Sequence, residues 1–147
     1  MNVEKRKFKD DYERPEHLER EESAIAHAID GTDLIAHKLP KRDVLDFALT
    51  KDDQVVCFAE VRSRGIPSTK HSEFYLPLKK FEVIRRHYQA TRTMTALIFV
   101  FTDTTLRTWI GKDPINRVLF WGDSRNDDQH DREPVVALQR KDFETLN

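Results

Sequence analysis

Asp46 and Glu60 are the residues of this chain best suited to chemistry. Both interrupt apolar runs in VLDFALTKDDQVVCFAEVRSR, residues 44–64, which reads as two strands joined by a polar turn. An acid in such a run is costly to bury as an ion unless it meets a cation or a metal. Two of them in neighbouring strands suggest a divalent-metal site. Magnesium and manganese prefer hard oxygen ligands, and Mg²⁺ is often held by one or two carboxylates, with water and a substrate phosphate completing the shell. Such an ion can generate hydroxide and stabilise charge on a phosphodiester. Glu22, from a preceding helix, could join the cluster or order its water.

Side-chain alternation tests the pairing. If Asp46 lies opposite Glu60, one face of the hairpin carries Ala48, Thr50, Val56, Phe58 and Arg62. The other face carries Leu45, Phe47, Leu49, Val55, Cys57, Ala59 and Val61, a clean core face. A two-residue turn at Asp52-Asp53 would instead set Asp46 against Ala59, so the pairing demands a five-residue loop or a bulge.

The elements that must position these groups follow from apolar spacing. Pro15 suits the first position of a helix, and the acids after it suit its positive end. Leu18, Glu22, Ile25 and Ile29 recur at helical spacing, which places Glu22 on the expected buried stripe, and Gly31 is the expected stop. Residues 34–39 read as a first strand, ended by Pro40. Residues 44–50 and 55–62 form the hairpin, and 63–72 a loop. From about residue 77 to 91 the pattern is helical again, with Leu78, Phe81, Ile84 and Tyr88 on one side. ALIFVF, residues 96–101, has the continuous apolar character of a buried central strand. Shorter strands are expected at 106–110, 118–121 and 135–138, with the polar loop GDSRNDDQHDREP between the last two. The order α-β-β-β-α-β implies a layered α/β domain.

A helical Glu, then Asp46, then thirteen residues, then Glu60-Val61-Arg62, then a helix and a buried strand resembles the PD-(D/E)XK nuclease superfamily. The likeness spans about residues 15–103 and is clearest in LDFAL, FAEVRSR and PLKKF. It resembles the small phage-type and Holliday-junction-resolvase-like members. The resemblance implies a single domain over 15–147, behind a charged segment 1–14, with a restriction-endonuclease-like αβββαβ core, a mixed central sheet and extra C-terminal strands. It implies Mg²⁺ (or Mn²⁺) on Asp46 and Glu60, with Glu22 as the helix acid. The implied activity is hydrolysis of DNA phosphodiesters by a metal-activated water. Arg62 departs from the motif, which usually has lysine there. A guanidinium stays protonated and cannot act as a base, although it can hold a phosphate. Some branches supply the lysine from the following helix, and Lys80 resembles that residue. Arg64, Lys70, Lys79, Arg85 and Arg86 are the expected guides of the DNA backbone.

Charge patterning has the form either of a footprint for phosphate or of a solvated helix face beside a basic loop. The chain has 147 residues and a net charge of −1, yet residues 10–33 hold nine acids and two arginines, whereas residues 62–92 hold eight Lys/Arg and two Glu. No apolar run approaches the roughly 18 residues that suggest a membrane span. The N-terminus lacks the apolar core of a secretory signal. A cytoplasmic protein is expected, or one of the host cytoplasm if viral. The single cysteine, Cys57, excludes an intrachain disulfide and a multi-cysteine zinc site. The six histidines show no HExxH spacing, and the four glycines form no phosphate loop. His71 and His87 fall in the basic segment and could touch phosphate, while Trp109 and Trp121 read as core or lid. Two rival readings remain open here. One is a catalytically impaired nuclease-fold module that binds nucleic acid or serves as a phage accessory protein, for which Arg62 is the best support. The other is a structural or self-assembling domain; a homodimer is among the partners allowed.

Overall fold

The computed structural model describes residues 15–40, 45–111, 118–121 and 133–146. The N-terminal segment 1–14, Val44 and the DSRNDDQHD stretch lie outside the described residues. Helix α1 (Pro15–Ile29) is followed by strands β1 (Ile35–Lys38), β2 (Phe47–Lys51) and β3 (Gln54–Ser63). Strand β4 (Glu73–Pro77) leads directly into helix α2 (Leu78–Thr91) and strand β5 (Met94–Val100). Strands β6 (Thr105–Ile110), β7 (Val118–Trp121), β8 (Glu133–Gln139) and β9 (Glu144–Leu146) complete the described chain. The αβββαβ order expected from the apolar pattern is present, with β4 and β9 added.

The main sheet runs β1-β2-β3-β5-β6-β9, and a smaller sheet runs β4-β8-β7. Among the described residues only β3 and β5 pair in parallel; the other ladders are antiparallel, which makes the central sheet mixed. The parallel pair is the buried centre, as its near-continuous apolar sequence requires. Ala59, Ala96 and Ile98 face α1 in one core together with Phe47, Leu49, Cys57, Val61, Ala24 and Ile25. Leu97 and Phe99 belong to the opposite core, which includes Phe81 and Ile84 of α2 and Phe74, Leu76 and Val136 of the small sheet. The main sheet is therefore covered on both faces.

The helices end where backbone conformation changes. Gly31 takes φ 78°, a left-handed conformation that costs glycine little, and Thr32 N–H donates to Ile29 O at 3.0 Å. Helix α2 ends at Arg92 (φ 60°), whose N–H donates to Tyr88 O at 2.7 Å. Close packing then ties α2 to the sheet at Gly111. A Cβ there would stand 2.8 Å from Cδ2 and 3.1 Å from Cε2 of Tyr88, so an added methyl must displace the ring. Gly111→Ala is expected to cost about 1–3 kcal/mol of stability by overpacking, read as a lower denaturation midpoint at unchanged m-value.

Alternation along the hairpin succeeds near the site and fails at the tip. Asp52 and Asp53 both adopt positive φ, 53° and 63°, the signature of a two-residue hairpin turn, and Lys51 pairs with Gln54. A register shift follows: Thr50 pairs with Val55, whereas Leu49 pairs with Cys57, leaving Val56 as the extra residue. The bulge breaks the alternation of β3, so Val55 does not share the Cys57 face as expected. Val55 is 49% exposed and Val56 44%. Leu45 departs from its expected face as well, packing with Phe81 and Phe99 rather than with Phe47. It lies in a bend before β2 begins, where strand alternation has no hold.

Candidate active site

The bulge is what aligns the two acids. Beyond it, Phe47 pairs with Ala59, and the same register carried back one residue sets Asp46 against Glu60. Asp46 sits in the bend preceding β2 rather than inside a strand, pinned by its main chain and its side chain. Its N–H donates to Ala59 O at 3.2 Å, and its carbonyl accepts from Leu39 N–H at 2.8 Å. Its Oδ2 accepts the Val61 N–H at 2.8 Å. A short carboxylate held at this many points has little freedom left to lose when it binds a ligand.

Glu60 points from the middle of β3 into the interior and is 1% exposed. The Lys80 ammonium donates to its Oε2 at 2.6 Å, and Arg62 Nη1 donates to the same oxygen at 3.1 Å. Its other oxygen, Oε1, is buried and meets no hydrogen-bond donor among the described residues. Burial raises the Glu60 pKa, the Asp46 charge raises it further, and Lys80 and Arg62 pull it back, leaving it at about 7. Burial outweighs the two cations here.

Lys80 reaches Glu60 because α2 lies across that face of the main sheet. Phe81 and Ile84 anchor the helix in the core, and His87 meets Phe58 of β3 with ring centroids 4.7 Å apart. Lys80 and His87 are two turns apart, so one side of α2 follows the side of β3 that carries Phe58, Glu60 and Arg62. This seats His87 against an aromatic ring of the protein. Trp109 is 38% exposed, which favours the surface over the core.

Asp46, Glu60, Arg62 and Lys80 are thus gathered at one place. Glu22 is not: it is exposed on α1. The buried positions of that helix are Ala24 and Ile25, with Ala28 packed beside them. Glu21, not Glu22, shares their i, i+3, i+4, i+7 stripe. Glu21 Oε2 accepts from Lys38 Nζ at 3.1 Å, and the same ammonium lies 3.6 Å from Asp46 Oδ1. Lys38 also stands 5.2 Å from the Phe47 ring centroid. Glu21 and Lys38 were missed by sequence reasoning. The small residues Ala24 and Ala28 were the available signal, because a helix lying close to a sheet buries small side chains.

Of the five expected backbone guides, Lys70, Lys79 and Arg86 are exposed and Arg85 is half-buried. Arg64 instead turns inward: its guanidinium lies 5.5 Å from the Phe99 ring centroid, and its pKa is lowered by burial and by Arg62. Arg62 and Arg64 line a cleft of about 490 Å³ between the main and small sheets.

The donor set suits a hard divalent ion. Asp46 and Glu60 offer carboxylate oxygens, and Glu60 Oε1 is an acceptor that the protein itself leaves unused among the described residues. No group of three or more His, Cys, Asp or Glu that could hold a metal occurs among the described residues.

The family model described as "Phage putative PDDEXK endonuclease" matches residues 7–146. The chain belongs to this family. The match embraces both helices, all nine described strands and the acids 46 and 60, so family membership and the gathered side chains concern the same part of the chain. The mixed sheet, the two helices and the extra C-terminal strands form a restriction-endonuclease-like α/β fold. No curated protein matches the chain. Among the described residues no helix is long and apolar enough to cross a membrane.

Proposed function

We propose that this member of the phage PDDEXK family is a Mg²⁺-dependent endonuclease that hydrolyses DNA phosphodiester bonds. The observation that carries the reading is the buried Glu60 carboxylate, with one oxygen on Lys80 and Arg62 and the other without a donor among the described residues, beside the pinned carboxylate of Asp46. Asp46 and Glu60 would hold the ion. When bound, a divalent cation supplies Lewis acidity to water and charge neutralisation to a phosphodiester.

The remaining work falls to the protein's own groups. Lys80 Nζ, fixed at Glu60, is a compact point charge with three donors, able to orient an attacking water and to offset charge growing on phosphate oxygens. Arg62 keeps one nitrogen on Glu60 and offers its planar fork to a phosphate; its Nε is buried without an acceptor among the described residues. Val61 N–H and the Lys38–Glu21 pair hold Asp46 in place. Lys70, Lys79 and Arg86 would steer the DNA backbone from the surface.

Plasmid and branched DNA incubated with Mg²⁺, Mn²⁺ or EDTA test the reading directly. Cleavage is expected with either ion and none with EDTA; cleavage undiminished in EDTA would defeat it. Lys80→Met is expected to lower kcat by about 100-fold or more, the usual scale for losing a positioned proton-handling or charge-stabilising group. Arg62→Met should act mainly on KM. Equal effects of the two substitutions on both constants would refute this division of labour.

One observation favours a second reading. Lys80 and Arg62 already neutralise Glu60 within the protein. A catalytically silent nuclease fold that only binds nucleic acid would show DNA binding in EDTA and no cleavage with any ion.

A further inference from the structure

We propose that the cleft beside the acidic pair is a pocket for one unpaired nucleotide, so that the substrate strand is single-stranded or locally opened at the site. The proposal rests on the nuclease reading and names its substrate class. The cleft measures about 490 Å³, inside the range of about 300–1,000 Å³ typical of pockets that hold small organic groups.

Its chemistry is divided as a nucleotide's is. Arg62 is shared by the cleft and by Glu60, which makes the cleft continuous with the reaction site. Arg64 stands close enough to Arg62 to feel its charge, and both are partly withdrawn from water. Arg62 already holds Glu60 through Nη1 and Arg64 donates through Nη1 to Ser63 O at 3.0 Å, so it is the remaining N–H groups of the two planar forks that would meet a phosphate. The Nε of Arg62 is buried and meets no acceptor among the described residues.

Behind the arginines the lining is aromatic. Phe74, Phe99 and Phe101 meet with centroids 4.9–5.9 Å apart, a floor packed into the core, with the Arg64 guanidinium over Phe99, that shapes the cleft without offering a free ring face. Tyr75 lines the cleft from the small sheet, and His71 from the loop before β4. The half-buried Tyr75, the exposed His71 and the guanidinium planes are the surfaces that an unstacked base would meet. Glu133 and Glu73, the latter already accepting from Gln139 Nε2 at 3.0 Å, also line the cleft; they would repel a second phosphate, and Glu133 can accept hydrogen bonds from the amino groups of a base. A base stacked inside a duplex cannot enter a recess between two sheets; it must first leave the stack.

The loop that forms one wall is clamped. Asp103 accepts from Ser68 N–H at 2.8 Å and from Ser68 Oγ at 2.9 Å, while Arg64 N–H donates to Val100 O at 2.8 Å. The cleft is therefore shaped before any ligand arrives, which lowers the ordering cost of binding.

Binding of the full chain in EDTA, followed by fluorescence anisotropy, tests the pocket separately from cleavage. Four probes of matched label are needed: a single strand, the same strand in a blunt duplex, a fully abasic strand of equal length, and a deoxynucleoside monophosphate. The single strand is expected to bind about tenfold more tightly than the duplex or the abasic strand, the scale of one base–aromatic stack. Tyr75→Ala should remove that advantage while leaving the abasic strand unaffected. Equal binding of intact and abasic strands by the unsubstituted protein would overturn the pocket, whatever the stability of the variant. A monophosphate bound as tightly as the strand would overturn the assignment to a DNA substrate. Mg²⁺-dependent cleavage without any preference for bases sinks the pocket alone; base-dependent binding with no cleavage under any ion sinks the nuclease reading instead.

Discussion

Asp46→Ala and Glu60→Ala are each expected to reduce Mg²⁺-dependent cleavage by about 100-fold or more, since metal-borne charge stabilisation is worth several kcal/mol and each ~1.36 kcal/mol is tenfold in rate. Neither change should unfold the protein. Asp46 lies at a bend, where alanine forfeits the Val61 N–H bond at 2.8 Å but leaves the backbone bonds to Ala59 and Leu39. The double variant tests whether the two act on one ion. Acids that serve one ion act as a unit, so removing both should cost little more than removing either. Residual rates in the double variant equal to the product of the single losses would separate the acids into independent roles. Full activity in the double variant would end the enzymatic account. Circular dichroism and a denaturation midpoint, measured on the same preparations, distinguish lost chemistry from lost structure.

The second large effect is on stability and needs no substrate. Glu60 has an ordinary pKa near 4.5 and a folded pKa of about 7, raised first by burial and then by Asp46. Between those values the folded chain keeps a proton that the unfolded chain has released. Protonation therefore favours the folded state, fully below about pH 4.5, and the benefit is lost as pH rises through about 7. Metal-free protein is expected to lose up to about 3 kcal/mol across that window, because each tenfold difference in proton affinity between the folded and unfolded chains is worth ~1.36 kcal/mol. Urea denaturation at a series of pH values in EDTA measures it, and Glu60→Gln should flatten the curve because the amide does not titrate. A wild-type stability that is level from about pH 5 to 7, or that rises, would contradict a buried Glu60 whose surroundings disfavour its charge.

These two expectations meet at Glu60. Burial and Asp46 cost the Glu60 charge more than Lys80 and Arg62 return, and a bound cation would make good the difference. The Lys80 contact at 2.6 Å limits the cost of burying the acid and, on the proposed reading, would also place an ammonium beside the reacting groups. A nucleotide in the neighbouring cleft would account for arginine at 62. A lysine there could neutralise Glu60, but it could not at the same time extend a planar fork into the neighbouring cleft.

Much of the candidate site was legible from residue order alone, for identifiable reasons. Acids at 46 and 60 stood out because strand alternation left them no ordinary place, and the need for a bulge followed from counting residues across the turn. The bulge is present, although only structure located it at Val56. Lys80 was singled out by the resemblance to the nuclease superfamily; the helical phase set by Phe81 and Ile84 placed it only at the border of the apolar stripe. The phase of α1 was not legible. Leu18, Ile25 and Ile29 pulled the expected stripe onto Glu22, whereas the buried face is rich in alanine and carries Glu21. Large apolar residues dominate a periodicity argument, but close helix–sheet approach selects small ones.

Strand β4 was hidden for a similar reason. Its sequence EFYLP ends in proline and runs straight into a helix, and its partner β8 lies about sixty residues later. Local propensity carries no information about a partner so distant. The amino-acid sequence by itself determined the order of the core elements, the buried apolar strand at 96–101 and the presence of two acids in apolar runs that require compensation, because these depend on the spacing of neighbours along the chain; the parallel pairing of β3 with β5 was decided by the tertiary structure. Tertiary structure decided which helix acid approaches Asp46, which cation holds Glu60, and that two arginines and an aromatic floor enclose a cleft between separate sheets. Those are contacts between segments far apart in sequence, set by how the layers pack, and no local period encodes them.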